Sequence, residues 1–240
     1  MKHILFFLFL ILISCGENID NIDSTPPIKP SLITANFDES FFLEGKETRI
    51  RPVSEGDFIY LSWYQNQDED LAGYFVERLR IDNINDSVWV RLNEDAIVDT
   101  FIIDDFDSLF ISENSPIRNE YRVIAIDEDD NLSEPSNSMK YELLEKARVT
   151  KFQRNDNDTL LVKWLYRGNY TSQRYPVVKI FSGDQLSYTV IGNFLLGEVD
   201  SLKFKVSGLS QTNVSARVEI YQNVSSYPLK GSYSEFKTLQ

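Results

Sequence analysis

The stretch Phe58-Ile59-Tyr60-Leu61-Ser62-Trp63-Tyr64 decides the reading. Its residues alternate with period two, so Ile59, Leu61 and Trp63 share one face of an extended strand. A strand buried on one side needs neighbours, and the flanking sequence supplies them. After a polar turn at 65–70 comes Gly73-Tyr74-Phe75-Val76-Glu77-Arg78. Val88-Trp89-Val90-Arg91-Leu92 and Thr100-Phe101-Ile102-Ile103-Asp104 follow. Tyr121-Arg122-Val123-Ile124-Ala125-Ile126-Asp127 and Met139-Lys140-Tyr141-Glu142-Leu143 close the set. Short strands at this spacing, with no amphipathic helix between them, predict a β-sandwich.

Over residues 30–144 these motifs, taken in order, resemble a fibronectin type III domain. Pro30 stands at the entry, Ile59-x-Leu61-x-Trp63 matches the second strand, and Leu71-Ala72-Gly73-Tyr74-x-Val76-x-Arg78 the third. Asp99-Thr100 and Asp104 fit the fifth, Tyr121-Arg122-Val123-x-Ala125-x-Asp127 the sixth, and Asn131-x-Ser133-x-Pro135-Ser136 leads into the seventh. The resemblance implies a buried Trp63 and makes Tyr121 the sixth-strand tyrosine. The stretch 106–119 is longer than the family's link and reads as an insertion loop.

A second set of runs fills 145–240: residues 147–152, 160–165, 175–181, 188–191, 202–206, 214–221 and 233–239. Turn signals separate them, among them Gly168-Asn169, Ser182-Gly183-Asp184 and Ser207-Gly208. Leu160-x-Val162-x-Trp164 echoes Ile59-x-Leu61-x-Trp63, and Ala216-x-Val218-x-Ile220 echoes the sixth strand with no tyrosine where Tyr121 stands. This half resembles a degenerate sandwich of the same kind. The expected fold class is therefore all-β: two consecutive Greek-key β-sandwiches, fibronectin type III or Ig-like. The joint, Glu145-Lys146-Ala147, holds no Gly or Pro, which restricts relative motion.

At the amino terminus, Lys2 precedes ten apolar residues, 4–13. A bilayer span needs about 20, whereas a signal-peptide core needs fewer. Leu12-Ile13-Ser14-Cys15 resembles the lipobox of bacterial lipoproteins. That resemblance implies cleavage before Cys15 and acylation of it, with several chains anchoring firmly where one would not. Residues 1–14 are then a signal peptide and 15–29 a lipidated, Pro-rich tether, stiffened at its far end by Pro26 and Pro27. Gly16 follows the cysteine where an enteric retention signal would have Asp. The expected address is the outer membrane, on its periplasmic or cell-surface face.

The 240 residues carry a formal net charge of −13, which argues against nucleic acid as a partner. The total hides a split. Residues 16–145 hold 10 Lys/Arg and 30 Asp/Glu, and residues 146–240 hold 13 and 7. Three readings stay open: two ordinary solvated surfaces, two halves that attract and dock, or a basic half that faces anionic glycan or lipid headgroups.

Little catalytic equipment remains. His3, the single histidine, leaves with the signal peptide, and Cys15, the single cysteine, is consumed by lipid. Ser-His-Asp triads, Cys-His pairs and His-ligated zinc are thereby excluded. No Gly-rich phosphate loop occurs. Asp127-Glu128-Asp129-Asp130-Asn131 invites a calcium reading, but an EF-hand counted from Asp127 would have Leu132 at position six and Ser138 at twelve. Asp127, Asp129 and Asp130 therefore read as hairpin-turn residues on a contact loop. No cofactor and no resident metal are expected, and the protein is read as non-catalytic.

Two candidate contact regions follow. The loops 65–70 and 127–134 would meet a protein partner from the envelope or outside the cell, or an exposed sheet edge would add a partner strand. Alternatively, Tyr166, Tyr170 and Tyr175, with Arg167 and Arg174, cluster near Trp164 and could stack a sugar; the competing reading places these rings in the core and on turns. Asp-Ser/Thr-apolar triplets, among them those beginning at Asp23, Asp86, Asp107, Asp158 and Asp200, with Thr25 counted as apolar in the first, resemble an O-glycosylation acceptor of one bacterial group.

Overall fold

The computed structural model describes residues 24–33, 49–83, 86–105, 109, 119–155, 158–168, 174–192, 197, 199–209, 212–222 and 230–240. Residues 1–23, Cys15 among them, Tyr170, and all but Leu109 of 106–118 lie outside them. Every element among the described residues is a strand, and no helix there is long and apolar enough to cross a membrane.

The first module holds β1 (Arg51–Pro52), β2 (Ile59–Ser62), β3 (Leu71–Asn83), β4 (Asp86–Arg91), β5 (Phe101–Asp104), β6 (Asn119–Asp127) and β7 (Met139–Leu143). The second holds β8 (Arg148–Asn155), β9 (Thr159–Leu165), β10 (Arg174–Ser182), β11 (Gln185–Ile191), β12 (Val199–Lys205), β13 (Val214–Gln222), β14 (Lys230–Tyr233) and β15 (Lys237–Thr238). Both use one plan. A three-stranded sheet, β1-β2-β5 or β8-β9-β12, packs on a larger one, β4-β3-β6-β7 or β11-β10-β13-β14. Strand β15 continues β14 along β13, and Leu32 bridges Trp63 ahead of β1. The chain is thus all-β, two consecutive Greek-key sandwiches.

Alternation places the cores where the sequence puts them. Ile59, Leu61 and Trp63 are at most 1% exposed and face Tyr74, Val76, Tyr121 and Val123 across the first core. The Trp63 ring meets Tyr74 edge-on, with centroids 5.3 Å apart. Leu160, Val162 and Trp164 face Val178, Ile180, Val218 and Ile220 in the second core. Each such aliphatic side chain stabilises the fold by about 1.5–3 kcal/mol.

The modules also share a local device. Ser136 Oγ accepts from Val123 N at 2.9 Å while Ser136 N donates to Val123 O at 2.8 Å. Ser234 and Val218 repeat both bonds at 2.9 Å. Three residues after each serine, Met139 pairs with Tyr121 and Lys237 with Ala216. Ala216 therefore occupies the place of Tyr121. What it forgoes is specific: Tyr121 Oη donates to buried Asp104 at 2.8 Å, beside Arg78 Nη1 at 2.9 Å. Burial, then the Asp104 charge, push the Tyr121 phenol well above its ordinary value.

Two cores are present, but they share one sheet, and Leu144 packs with the second core. Strand β14 pairs in parallel with β7, Lys230 opposite Glu142 and Gly231 opposite Leu143, so the two larger sheets merge into one of nine strands. Residues paired across a ladder point the same way. The face that carries Tyr141 and Leu143 into the first core therefore continues through Gly231 and Tyr233 to Glu219 and Val177. In the second module that face points away from its own core. The two three-stranded sheets consequently lie on opposite sides of the shared sheet, and Val177, Tyr221 and Tyr233 join the first module's core.

Candidate functional site

The junction is built from short polar contacts. Leu144 N donates to Gly231 O at 3.0 Å, and Ser232 Oγ donates to Glu145 O at 2.7 Å. A Cβ at Gly231 would stand 2.9 Å from Tyr141 Oη and 3.2 Å from Ile220 O, so the close strand approach requires glycine. The joint residue Lys146 donates through Nζ to Val53 O and Ser54 O, each at 3.1 Å, and to Gly56 O. It ties the linker to the loop after β1. Burial lowers the Lys146 ammonium from its ordinary value, against the opposing pull of Asp57 and Glu55.

Along β13 the inward residues are Ala216, Val218 and Ile220, and the alternate set is Arg217, Glu219 and Tyr221. On a free sandwich that alternate set would meet water. Here it is at most 5% exposed. Glu219 accepts from Arg217 Nη2 at 2.5 Å, Arg217 Nε at 2.9 Å and Tyr221 Oη at 2.8 Å, and Lys179 Nζ lies 3.3 Å away. Tyr221 Oη also reaches Tyr233 Oη at 3.0 Å. Across the junction Arg217 Nη1 reaches Ser54 Oγ at 3.4 Å. Burial alone would raise the Glu219 carboxyl; Arg217 and Lys179 outweigh it and hold the group below its ordinary value. Burial and the same carboxylate raise the phenols of Tyr221 and Tyr233.

Beside this cluster a groove of about 590 Å³ opens between the modules. One wall is Arg51, Val53, Ser54, Glu55 and Ile103; the other includes Phe181, Asp184, Asn213 and Phe236. Phe181 and Phe236 meet edge-on at 5.3 Å. Phe236 and Ile103 are each 46% exposed. On the outer face of β1-β2-β5, Phe101 stacks on Tyr60, and the Arg51 guanidinium lies 4.2 Å over the Tyr60 ring. Exposed aromatic and aliphatic groups, with the Glu55 and Asp184 carboxylates at the rim, suit an apolar side chain with a polar edge.

The residues singled out from sequence do not gather here. Tyr166 is fully buried in the second core: its ring fills space and has no free face for a sugar. Arg174 is 4% exposed, and its Nη1 donates to Gln222 Oε1 at 2.7 Å. Tyr175 is partly buried, opposite Tyr221 on the junction face. Arg167 is exposed, in a small cleft with Glu145 and Arg148. Asp127 is buried and holds its own turn, accepting from Asn131 N at 2.7 Å and Asp129 N at 3.0 Å. Asp129 and Asp130 are exposed, Asp130 in the left-handed region at φ 66°. Among the described residues no group of three or more His, Cys, Asp or Glu is placed to hold a metal ion. Cys15 and Tyr170 fall outside the described residues. Loops 65–70 and 127–134 do adjoin, with Glu128 N donating to Asp70 O at 2.9 Å.

Comparison with known proteins finds no matching family model and no matching curated sequence. Among crystal structures, the FN1–FN3 domains of chicken CNTN1 are similar, with a TM-score of 0.37 and 10% identity. The similarity covers 88% of this chain and 68% of that one. The fold assignment rests on the strand order and cores described above.

Proposed function

We propose that this chain is a lipid-anchored protein of the bacterial envelope, held by Cys15, that works without catalysis as a binding or scaffolding module for a protein partner. One observation carries the reading: the junction groove takes its walls from both modules and leaves Ile103 and Phe236 half exposed beside a cluster that is otherwise buried. Exposed apolar side chains gathered at one place on a well-packed molecule are characteristic of a contact surface. The merged sheet gives that surface a fixed shape, which lowers the ordering cost of binding. A glycan platform at 166–175 has less support, since Tyr166 and Arg174 are buried.

The test places a photo-crosslinking phenylalanine at position 236 in cells. A discrete protein adduct is expected there, absent when the probe stands at position 205 and lost when Ile103→Asp is added. Equal labelling at both positions would overturn the reading. The address is tested separately: an alkyne palmitate should label the parent and not Cys15→Ser.

A further inference from the structure

The sheet β8-β9-β12 has an outer face of a different character. In register, Arg148 and Lys151 of β8 stand opposite Leu165 and Lys163 of β9, and Leu161 and Thr159 stand opposite Lys203 and Lys205 of β12. Because successive residues alternate in direction and Leu160, Val162 and Trp164 point into the core, the five cations share the solvent face. All five are exposed. The outward positions of the three strands include no Asp or Glu, in a chain whose formal charge is −13. None of the four lysines makes an ion pair among the described residues. Lys151 stands directly across from Lys163, and like charges at that position weaken a sheet. Stability does not account for this arrangement, whereas a ligand that neutralises it would.

We infer that this face binds an acidic polysaccharide. Strands about 4.8 Å apart, with outward residues about 7 Å apart along each, set the cations on a regular grid. A linear polymer with a repeating carboxylate or sulfate can meet several of them at once, gaining by multivalency where each contact is weak. Nucleic acid fits less well. The outward apolar residues are Leu161, Leu165 and Val199, and no aromatic ring is there to stack a base. A bilayer also fits less well, on the ground of where the tether enters. Ile28 N donates to Asp68 Oδ2 and Ile28 O accepts from Asn66 Nδ2, so the amino-terminal segment lies along the 65–70 end of the first module. Strand β7 runs from that end to the opposite one before β8 begins, so the start of the basic sheet is far along the chain's path from that segment. This site is separate from the junction groove and stands or falls without it.

The test uses the full chain in a non-ionic detergent, against immobilised polygalacturonate, neutral dextran, oligo-dT and phosphatidylglycerol vesicles. Polygalacturonate should be retained at low salt, dextran should not, and affinity should fall steeply as salt rises. Lys151→Gln, Lys163→Gln and Lys203→Gln together should weaken retention at least tenfold. Lys29→Gln with Lys140→Gln, which removes charge elsewhere, should change it less than twofold. The triple variant should melt no lower than the parent, because the opposed lysines are gone. Retention unchanged in a folded triple variant would overturn the proposal, as would tighter binding to oligo-dT or to vesicles.

Discussion

Glu219→Gln tests the logic of the junction most directly. The change keeps the side chain's shape and removes one negative charge from a site that is 0% exposed. Arg217 and Lys179, themselves 5% and 1% exposed, would then confront a neutral amide. Leaving buried charge uncompensated costs about 3–5 kcal/mol. For a folded body of this size each kcal/mol moves Tm by roughly 2–4 °C, so the expected drop is about 6–20 °C. Calorimetry with urea denaturation should register it. The pH dependence gives a second, independent reading. The Glu219 carboxyl is held below its ordinary 4.5 in the folded chain. Its stabilisation is therefore complete above that value and lost as pH falls through the folded value. The variant should lack this component and show a flatter stability profile in acid. Replacing the whole set, Lys179→Met with Arg217→Met and Glu219→Leu, should instead be neutral or stabilising, because an apolar cluster avoids desolvation. A Glu219→Gln protein that loses less than about 1 kcal/mol and keeps the parental acid slope would refute the reasoning.

Other outcomes follow from the same structure. Tyr121→Phe removes the donor to Asp104 and should cost about 1.5–3 kcal/mol in urea titration, as expected for a bond to a charged group. Gly231→Ala brings a methyl within 2.9 Å of Tyr141 Oη, and overpacking should lower stability by about 1–3 kcal/mol. Tyr121, Tyr221 and Tyr233 have phenols raised by burial. Stability should thus be level below about pH 10 and fall above it, and absorbance at 295 nm should show these three ionising only as the chain unfolds. Ser136→Ala and Ser234→Ala should each cost about 1 kcal/mol by removing equivalent bonds in the two modules.

Period-two patterning made the strands legible, because each inward stripe packs against a partner within its own half. Ile59, Leu61 and Trp63, and likewise Leu160, Val162 and Trp164, lie where that pattern puts them. It could not announce the junction, for a physical reason. Arg217, Glu219 and Lys179 alternate with apolar residues just as solvent-facing charges do, and what buries them is a neighbouring module. The one local hint was their mutual complementarity on adjacent strands, which needs the β10–β13 register to be seen. Strand β1 was hidden by its two-residue length and Pro52. Phe181, Phe236 and Ile103 were read as ordinary strand residues; only the fold brings them to one groove. Tyr166 misled in the other direction, since an aromatic two residues after Trp164 continues the inward stripe.

The parallel pairing of β7 with β14 also governs how the molecule would carry tension. A pull between the two modules along the strand direction loads those two strands lengthwise. Their hydrogen bonds are then strained together, with Leu144 N to Gly231 O and Ser232 Oγ to Glu145 O sharing the load, and none can open first like a zipper. A junction built this way resists shear at the seam between its halves, where a string of loosely linked beads would simply extend.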